Sequence, residues 1–129
     1  MKIIIPTLLI FLFVSGVTVA KEPVRLKVMT YNLRFGELAS LEELADFIDL
    51  NRPDLVALQE LDWMTQRKQT PHQHNKDFIT ELGFRTGMFP LYGKTISYAG
   101  GLYGIGILTR KPYINVEKII LPKAENVTE

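Results

Sequence analysis

Apolar and polar residues alternate along residues 24–32, and this period of two predicts a strand with one face on a core. Ser40 and Glu43, three residues apart, form a capping-box pattern that marks the start of a helix near Leu41. The apolar positions after it recur at helical spacing until Asn51, and Pro53 keeps the helix from continuing. These patterns predict a strand and a helix in succession.

Residues 54–60 contain the largely apolar run Leu-Val-Ala-Leu, which predicts a second strand buried on both faces. A strand, helix and strand within so few residues almost always form a parallel, right-handed unit. Both strands then end at one edge of the sheet, where Asn32 and Glu60 emerge side by side. Ligands of open α/β sheets bind outside such strand ends. Because amide and carboxylate oxygens suit a hard cation, the pair predicts a Mg²⁺ site.

The remainder of the chain predicts further strands of a mixed sheet. Residues 63–74 are polar and predict a loop, and Gly83 is expected to stop a second helix over residues 75–82. Three strands are predicted at residues 84–91, 105–109 and 114–121, with the glycine-rich residues 92–104 as a loop. The predicted fold class is therefore α/β, with one βαβ unit and additional mixed-sheet strands.

Residues 1–20 have the pattern of a secretory signal, with Lys2, an apolar run, and small residues up to Ala20. We expect a signal peptide at residues 1–20, a domain at residues 21–129, and a secreted or periplasmic protein without a membrane span after cleavage. An uncleaved membrane anchor over residues 3–20 is the alternative, because this stretch is close to the length that spans a bilayer.

The charge balance bears on the expected partner, and the lack of cysteine bears on what stabilises the fold. Cleavage would remove Lys2 and leave 14 basic and 14 acidic residues. A net charge near zero provides no strong electrostatic footprint for nucleic acid. Since the chain has no Cys, a hydrophobic core rather than disulfides must stabilise it.

Three segments, in this order, resemble the first half of the endonuclease/exonuclease/phosphatase superfamily, which has the DNase-I-like fold. They are Met-Thr-Tyr-Asn-Leu-Arg at residues 29–34, Asp-Leu-Val-Ala-Leu-Gln-Glu-Leu-Asp at residues 54–62, and Tyr-Gly-Ile-Gly-Ile-Leu-Thr-Arg at residues 103–110. The resemblance covers residues 24–121. It implies a four-layer α/β sandwich, of which this chain supplies only the first half.

The resemblance also implies a metal-dependent phosphoesterase that uses Mg²⁺, with Mn²⁺ as an alternative metal. Glu60 would be the principal metal ligand, and Asn32 would lie in the phosphate and metal site, so both are candidate catalytic and metal-binding residues. Arg67 matches a basic position that some members place near the substrate, and Tyr103 lies close to the site. Both are therefore candidate substrate-binding residues. The metal and the donors would clamp the phosphate while a water attacks in line.

The sequence also departs from the family pattern. Ile105 and Gly106 stand where many members have Asn and Ala, and the second-half motifs (a strand His, an Asp-x-Asn loop and a late Asp-His pair) have no counterpart after the third segment. We therefore expect an exported phosphoesterase whose 129-residue chain is inactive by itself. A non-catalytic exported binding domain on the same fold and a fragment of a longer reading frame are the alternatives. The expected partner is a phosphate ester, whether a nucleic acid, a phospholipid headgroup or a small phosphate ester, and the oligomeric state stays open.

Overall fold

The computed structural model describes residues 22–122, which form one four-stranded sheet with two helices. The strands are β1 Val28–Asn32, β2 Leu55–Trp63, β3 Phe89–Tyr98 and β4 Gly101–Thr109, and the helices are α1 Leu41–Asn51 and α2 Phe78–Thr86. Their order in the sheet is β1-β2-β4-β3. The β1–β2 pair is parallel and the other two pairs are antiparallel. The predicted βαβ unit and the predicted mixed sheet are both confirmed.

The capping box starts α1 at the predicted residue. The Ser40 hydroxyl accepts a hydrogen bond from the Glu43 backbone N–H at 3.2 Å, and the Glu43 carboxylate accepts one from the Ser40 N–H at 2.8 Å. These bonds to Ser40 lower the pKa of Glu43, because they favour its charged form. The helix ends at Arg52 in a left-handed conformation, just before Pro53.

The helices cover one face of the sheet and leave the other face open. The core combines inward residues of β2 and β4 with the apolar faces of both helices, and its members include Leu41, Leu44, Ile48, Val56, Leu58, Leu61, Phe78, Leu82 and Leu108. On the opposite face of β4, Ile105 and Ile107 are 55% and 39% exposed. Side chains on the open face therefore remain accessible, and the candidate site residues lie at its end.

Several predicted boundaries differ from the structure. The first strand begins at Val28, not at residue 24, and Val24 and Leu26 are exposed outside the sheet. The second helix continues through Gly83 to Thr86, because Gly87 rather than Gly83 adopts the left-handed cap conformation. The strand predicted over residues 84–91 consequently begins only at Phe89.

The loop predicted over residues 92–104 is wrong, because these residues form most of the β3–β4 hairpin. The turn is confined to the positions between the two strands, where Gly100 has a positive φ of 80°. The other glycines serve close strand packing: a Cβ at Gly104 would lie 2.2 Å from the Gly93 carbonyl oxygen. The glycines of this segment thus indicate close contact between the backbones of β3 and β4 rather than a loop.

The strand predicted over residues 114–121 is also wrong, since the described chain beyond Thr109 contains no strand. Ile114, Ile119 and Ile120 are exposed. An alternating pattern indicates only that apolar and polar side chains would lie on opposite faces. A strand also needs a neighbouring strand whose backbone it can pair with. None of the helices within residues 22–122 is long and apolar enough to cross a bilayer. The predicted signal peptide lies outside the described residues.

Candidate functional site

The side chains of Asn32 and Glu60 meet at the carboxyl ends of β1 and β2. In the parallel register Asn32 pairs with Gln59, so Glu60 follows directly beyond the pair. The Asn32 Nδ2 donates a hydrogen bond to the Glu60 Oε1 at 2.8 Å. The structure therefore brings together the two residues that the strand order predicts side by side.

A β-bulge turns Glu60 onto the open face of the sheet. Leu58 pairs with Gly106 and Leu61 with Gly104, so Gln59 and Glu60 together lie opposite the single residue Ile105. Strict alternation after the buried Leu58 would direct residue 60 towards the helices. The extra residue restores Leu61 to the core and directs the Glu60 carboxylate away from it.

The bulge requires a strained backbone at Glu60, whose φ is +57°. This left-handed conformation costs a residue with a Cβ about 1–2 kcal/mol. Glycine would avoid that cost. An acidic residue in this conformation, at the edge of the sheet where a ligand is expected, is a typical feature of a functional position.

The amide of Asn32 has a defined orientation. Its Oδ1 accepts a hydrogen bond from the Arg34 backbone N–H at 2.9 Å. Since a backbone N–H must face an oxygen, the Nδ2 group is the one that faces Glu60. Asn32 therefore acts in this structure as a donor that holds the Glu60 carboxylate in place.

Both residues line an open cavity of about 360 Å³ at the end of the sheet. Its walls are Asn32, Gln59, Glu60, Thr95, Ile96, Tyr103, Gly104 and Ile105. Glu60 is the only Asp, Glu, Lys or Arg side chain among them, so the lining has a formal charge of −1. A bound divalent cation would change that charge to +1, which suits a phosphate.

Tyr103 supplies a neutral hydroxyl beside Glu60. Burial, followed by the negative charge of Glu60, raises the pKa of Tyr103 to about 12, although the Arg67 guanidinium acts in the opposite direction. The hydroxyl therefore stays protonated at neutral pH and can donate a hydrogen bond. Its location in the cavity wall agrees with the predicted proximity to the site.

Arg67 lies behind Tyr103 instead of in the cavity wall. Its side chain is 8% exposed, and its Nε donates to the Asp62 Oδ2 at 2.6 Å. The guanidinium carbon lies 4.3, 4.2 and 4.7 Å from the ring centroids of Phe35, Tyr98 and Tyr103. Arg67 therefore does not line the cavity, because its charged group is enclosed by its own protein. Its role as a substrate-binding residue stays a prediction.

The polar residues predicted as a loop are anchored to the rest of the domain. Gln73 is buried and its Nε2 donates to the carbonyl oxygens of Gly36 and Ala39, both at 3.3 Å. The His74 ring nitrogen Nε2 lies 2.7 Å from the Arg67 carbonyl oxygen. The segment thus holds Arg67 by its backbone as well as by its side chain.

The aromatic partners of Arg67 could not be found from sequence. Phe35 has a positive φ of 46° and Tyr98 lies at the hairpin tip, and neither position carries a sequence signal for a contact with residue 67. A usable signal was present only for Asp62. It is a charged residue that follows the predicted second strand over residues 54–60.

The donor set suits a hard divalent cation that keeps most of its waters. Glu60 offers a carboxylate and Gln59 an amide at the same edge of the sheet. Mg²⁺ is bound through one or two carboxylates together with waters and substrate phosphates. Within residues 22–122 no group of three or more His, Cys, Asp or Glu side chains could enclose a metal, so a closed zinc-type site does not fit.

Comparisons with known proteins bear on the family to which this chain belongs. The family model of the endonuclease/exonuclease/phosphatase family matches residues 29–126. A comparison with curated proteins found no match.

Two solved structures share the fold. An endonuclease/exonuclease/phosphatase from Beutenbergia cavernae DSM 12333 is 16% identical with a TM-score of 0.56, over 70% of this chain and 27% of the other. An endonuclease/exonuclease/phosphatase family protein from Leptotrichia buccalis C-1013-b is 16% identical with a TM-score of 0.52, over 68% of this chain and 39% of the other. The chain thus spans well under half of either structure, and the predicted DNase-I-like α/β fold class is confirmed for the part that it covers. From the match over residues 29–126, the chain belongs to the endonuclease/exonuclease/phosphatase family.

Proposed function

We propose that this chain supplies the metal- and phosphate-binding part of an exported, Mg²⁺-dependent phosphoesterase. The observation that supports the proposal best is the Asn32–Glu60 pair, joined at 2.8 Å on the open face of the sheet. Family membership supports hydrolysis of a phosphate ester as the reaction class. Export rests on the pattern of residues 1–20 alone.

Each residue of the cavity would have a separate role. Glu60 would hold the cation through its carboxylate, and Asn32 would keep that carboxylate in place with one Nδ2 hydrogen and offer the other to a phosphate oxygen. The neutral Tyr103 hydroxyl would donate to a second phosphate oxygen. When bound, Mg²⁺ or Mn²⁺ would neutralise charge on the phosphate and orient the attacking water.

The substrate class is a phosphate ester with an accessible phosphate. The cavity is open and its lining mixes polar and apolar groups, which suits a small phosphate ester or a phospholipid headgroup. The near-zero net charge of residues 21–129 gives less support to nucleic acid, whose binding depends on many phosphate contacts.

Metal titration of the full 129-residue chain tests this proposal without requiring turnover, which we do not expect from this chain alone. We expect Mn²⁺ to bind in calorimetry, and Glu60→Gln to weaken that binding at least tenfold, or by about 1.4 kcal/mol. Glu81→Gln is the matched control, because Glu81 forms an exposed pair with Arg85 on α2. Equal Mn²⁺ binding by the wild type and Glu60→Gln would contradict the proposed site.

A non-catalytic binding domain is the second candidate, and Ile105 favours it. This apolar side chain is 55% exposed and lines the cavity where many relatives of this type were expected to have a polar group. Such a domain would have no need for the cation. Absence of Mn²⁺ binding in the wild type would therefore favour this candidate over the enzyme.

A further inference from the structure

Arg67 contacts every segment that positions the candidate site. Phe35 follows Asn32 by three residues, Asp62 follows Glu60 by two, and Tyr103 itself lines the cavity. All three contact the Arg67 side chain. The fourth contact, Tyr98, lies at the tip of the hairpin whose second strand carries Tyr103.

The contacts of Arg67 depend on the shape of a guanidinium. Its guanidinium carbon lies within 4.7 Å of three ring centroids while its Nε–H donates to Asp62. A lysine ammonium is a compact charge and lacks the planar group with which arginine contacts aromatic rings. The arrangement therefore uses both the charge and the planar form of arginine.

Asp62 fixes the position of this guanidinium. Its Oδ2 accepts hydrogen bonds from the Thr65 hydroxyl and from Arg67 Nε, both at 2.6 Å. Its Oδ1 is buried without a hydrogen-bond partner among the described residues. The buried carboxylate thus depends on Arg67 for its compensating charge.

The backbone of Arg67 is fixed as well. Its carbonyl oxygen accepts a hydrogen bond from the Thr70 N–H at 3.3 Å and lies 2.7 Å from the His74 Nε2. Specific contacts therefore hold both the backbone and the side chain of Arg67.

We propose that Arg67 is a positioning residue, which holds the segments bearing Asn32, Glu60 and Tyr103 in the arrangement that binds the metal and the phosphate. This inference rests on the proposed function for its ligand, although the arrangement itself can be measured without one. Arg67 touches no substrate in this scheme, so it acts through Tyr103 and through the two strand ends.

Two variants of the full chain separate positioning from simple stability. Arg67→Lys keeps the charge but loses the stacking surface, and Arg67→Met combined with Asp62→Asn removes both buried charges together. Arg85→Lys is the matched control, because Arg85 pairs with Glu81 on the exposed side of α2.

The first readout is solvent exchange of the Asn32 side-chain amide by ¹⁵N NMR, with its signals identified by their absence in Asn32→Asp. The second is Mn²⁺ affinity by calorimetry. Both are measured at a temperature where circular dichroism shows a native fold.

We expect Arg67→Lys and the double variant to exchange the Asn32 amide at least tenfold faster than the wild type and to bind Mn²⁺ at least tenfold more weakly. Arg85→Lys should change neither readout. If Arg67→Lys retains wild-type exchange and affinity, the proposal is overturned. If neither variant folds, Arg67 is needed for the fold rather than for the site, which also overturns it.

Failure of the proposed function can be recognised separately. A wild type that binds no Mn²⁺ would remove the proposed function, while the Asn32 exchange rate would still decide the role of Arg67. Normal Mn²⁺ binding that Glu60→Gln abolishes and Arg67→Lys leaves unchanged would retain the proposed function and remove the positioning role.

Discussion

The left-handed backbone at Glu60 leads to a prediction about stability. The difference in the free energy of unfolding between a Gly and an Ala variant should have opposite signs at Glu60 and at Gln59. We consider Glu60→Gly and Glu60→Ala, together with the same pair of substitutions at Gln59. Glu60 has a φ of +57°, whereas Gln59 is not among the residues with positive φ. Both substitutions at either position remove the same side-chain hydrogen bonds, so comparing Gly with Ala cancels those losses.

The expected magnitudes follow from the backbone alone. A Cβ in the left-handed region costs about 1–2 kcal/mol, and Gly loses about 0.5–1 kcal/mol more than Ala through chain entropy. Glu60→Gly should therefore be more stable than Glu60→Ala by about 0.5–1 kcal/mol. At Gln59 only the difference in chain entropy applies, so Gln59→Gly should be less stable than Gln59→Ala by about 0.5–1 kcal/mol.

Urea unfolding monitored by circular dichroism measures the free energy of unfolding for all four variants. For a domain of this size, 1 kcal/mol corresponds to about 4–8 °C in Tm, so thermal melts give a second estimate. If Glu60→Gly is no more stable than Glu60→Ala, the strained bulge is not a property of the folded protein. If Gln59 shows the same sign as Glu60, the effect is not specific to the bulge.

Two further predictions concern the hairpin and the Tyr103 hydroxyl. Gly104→Ala should lower the free energy of unfolding by about 1–3 kcal/mol. The added Cβ would lie 2.2 Å from the Gly93 carbonyl oxygen and force β3 away from β4. A urea midpoint equal to that of the wild type would contradict this prediction. The pKa of Tyr103 is raised to about 12, so between pH 10 and pH 12 the unfolded chain loses this proton while the folded chain keeps it, and stability falls as pH rises. Tyr103→Phe should therefore lose stability less steeply than the wild type across this range in urea unfolding, and parallel curves would count against a raised pKa of Tyr103.

The parts of the fold that the sequence predicted are those with local signals. The capping box at Ser40 and the helical spacing of apolar residues predicted α1 with its correct first residue. The short distance between the first two strands predicted their parallel pairing, and this pairing placed Asn32 beside Glu60. In both cases the determining contacts are close in sequence or follow from chain connectivity.

The errors occurred where a non-local contact determines the conformation. Gly93 and Gly104 were interpreted as loop residues, although their missing side chains allow β3 and β4 to approach. The bulge at Glu60 could not be predicted, because glutamate has no preference for the left-handed region. Likewise, the surroundings of Arg67 consist of rings that are far from it in sequence.

Some of the strained backbone lies at or beside Asn32 and Glu60. Among residues 22–122, seven non-glycine residues have a positive φ, and Arg34, Phe35 and Glu60 belong to them. Arg34 directs its N–H to the Asn32 amide oxygen, and Phe35 presents its ring to Arg67. These three residues therefore fix groups at or next to the cavity, each at a cost of about 1–3 kcal/mol that a purely structural turn could avoid with glycine. At Glu60 the backbone and the ligand therefore favour different residues, because glycine would relieve the left-handed conformation but would remove the carboxylate and its hydrogen bond to Asn32.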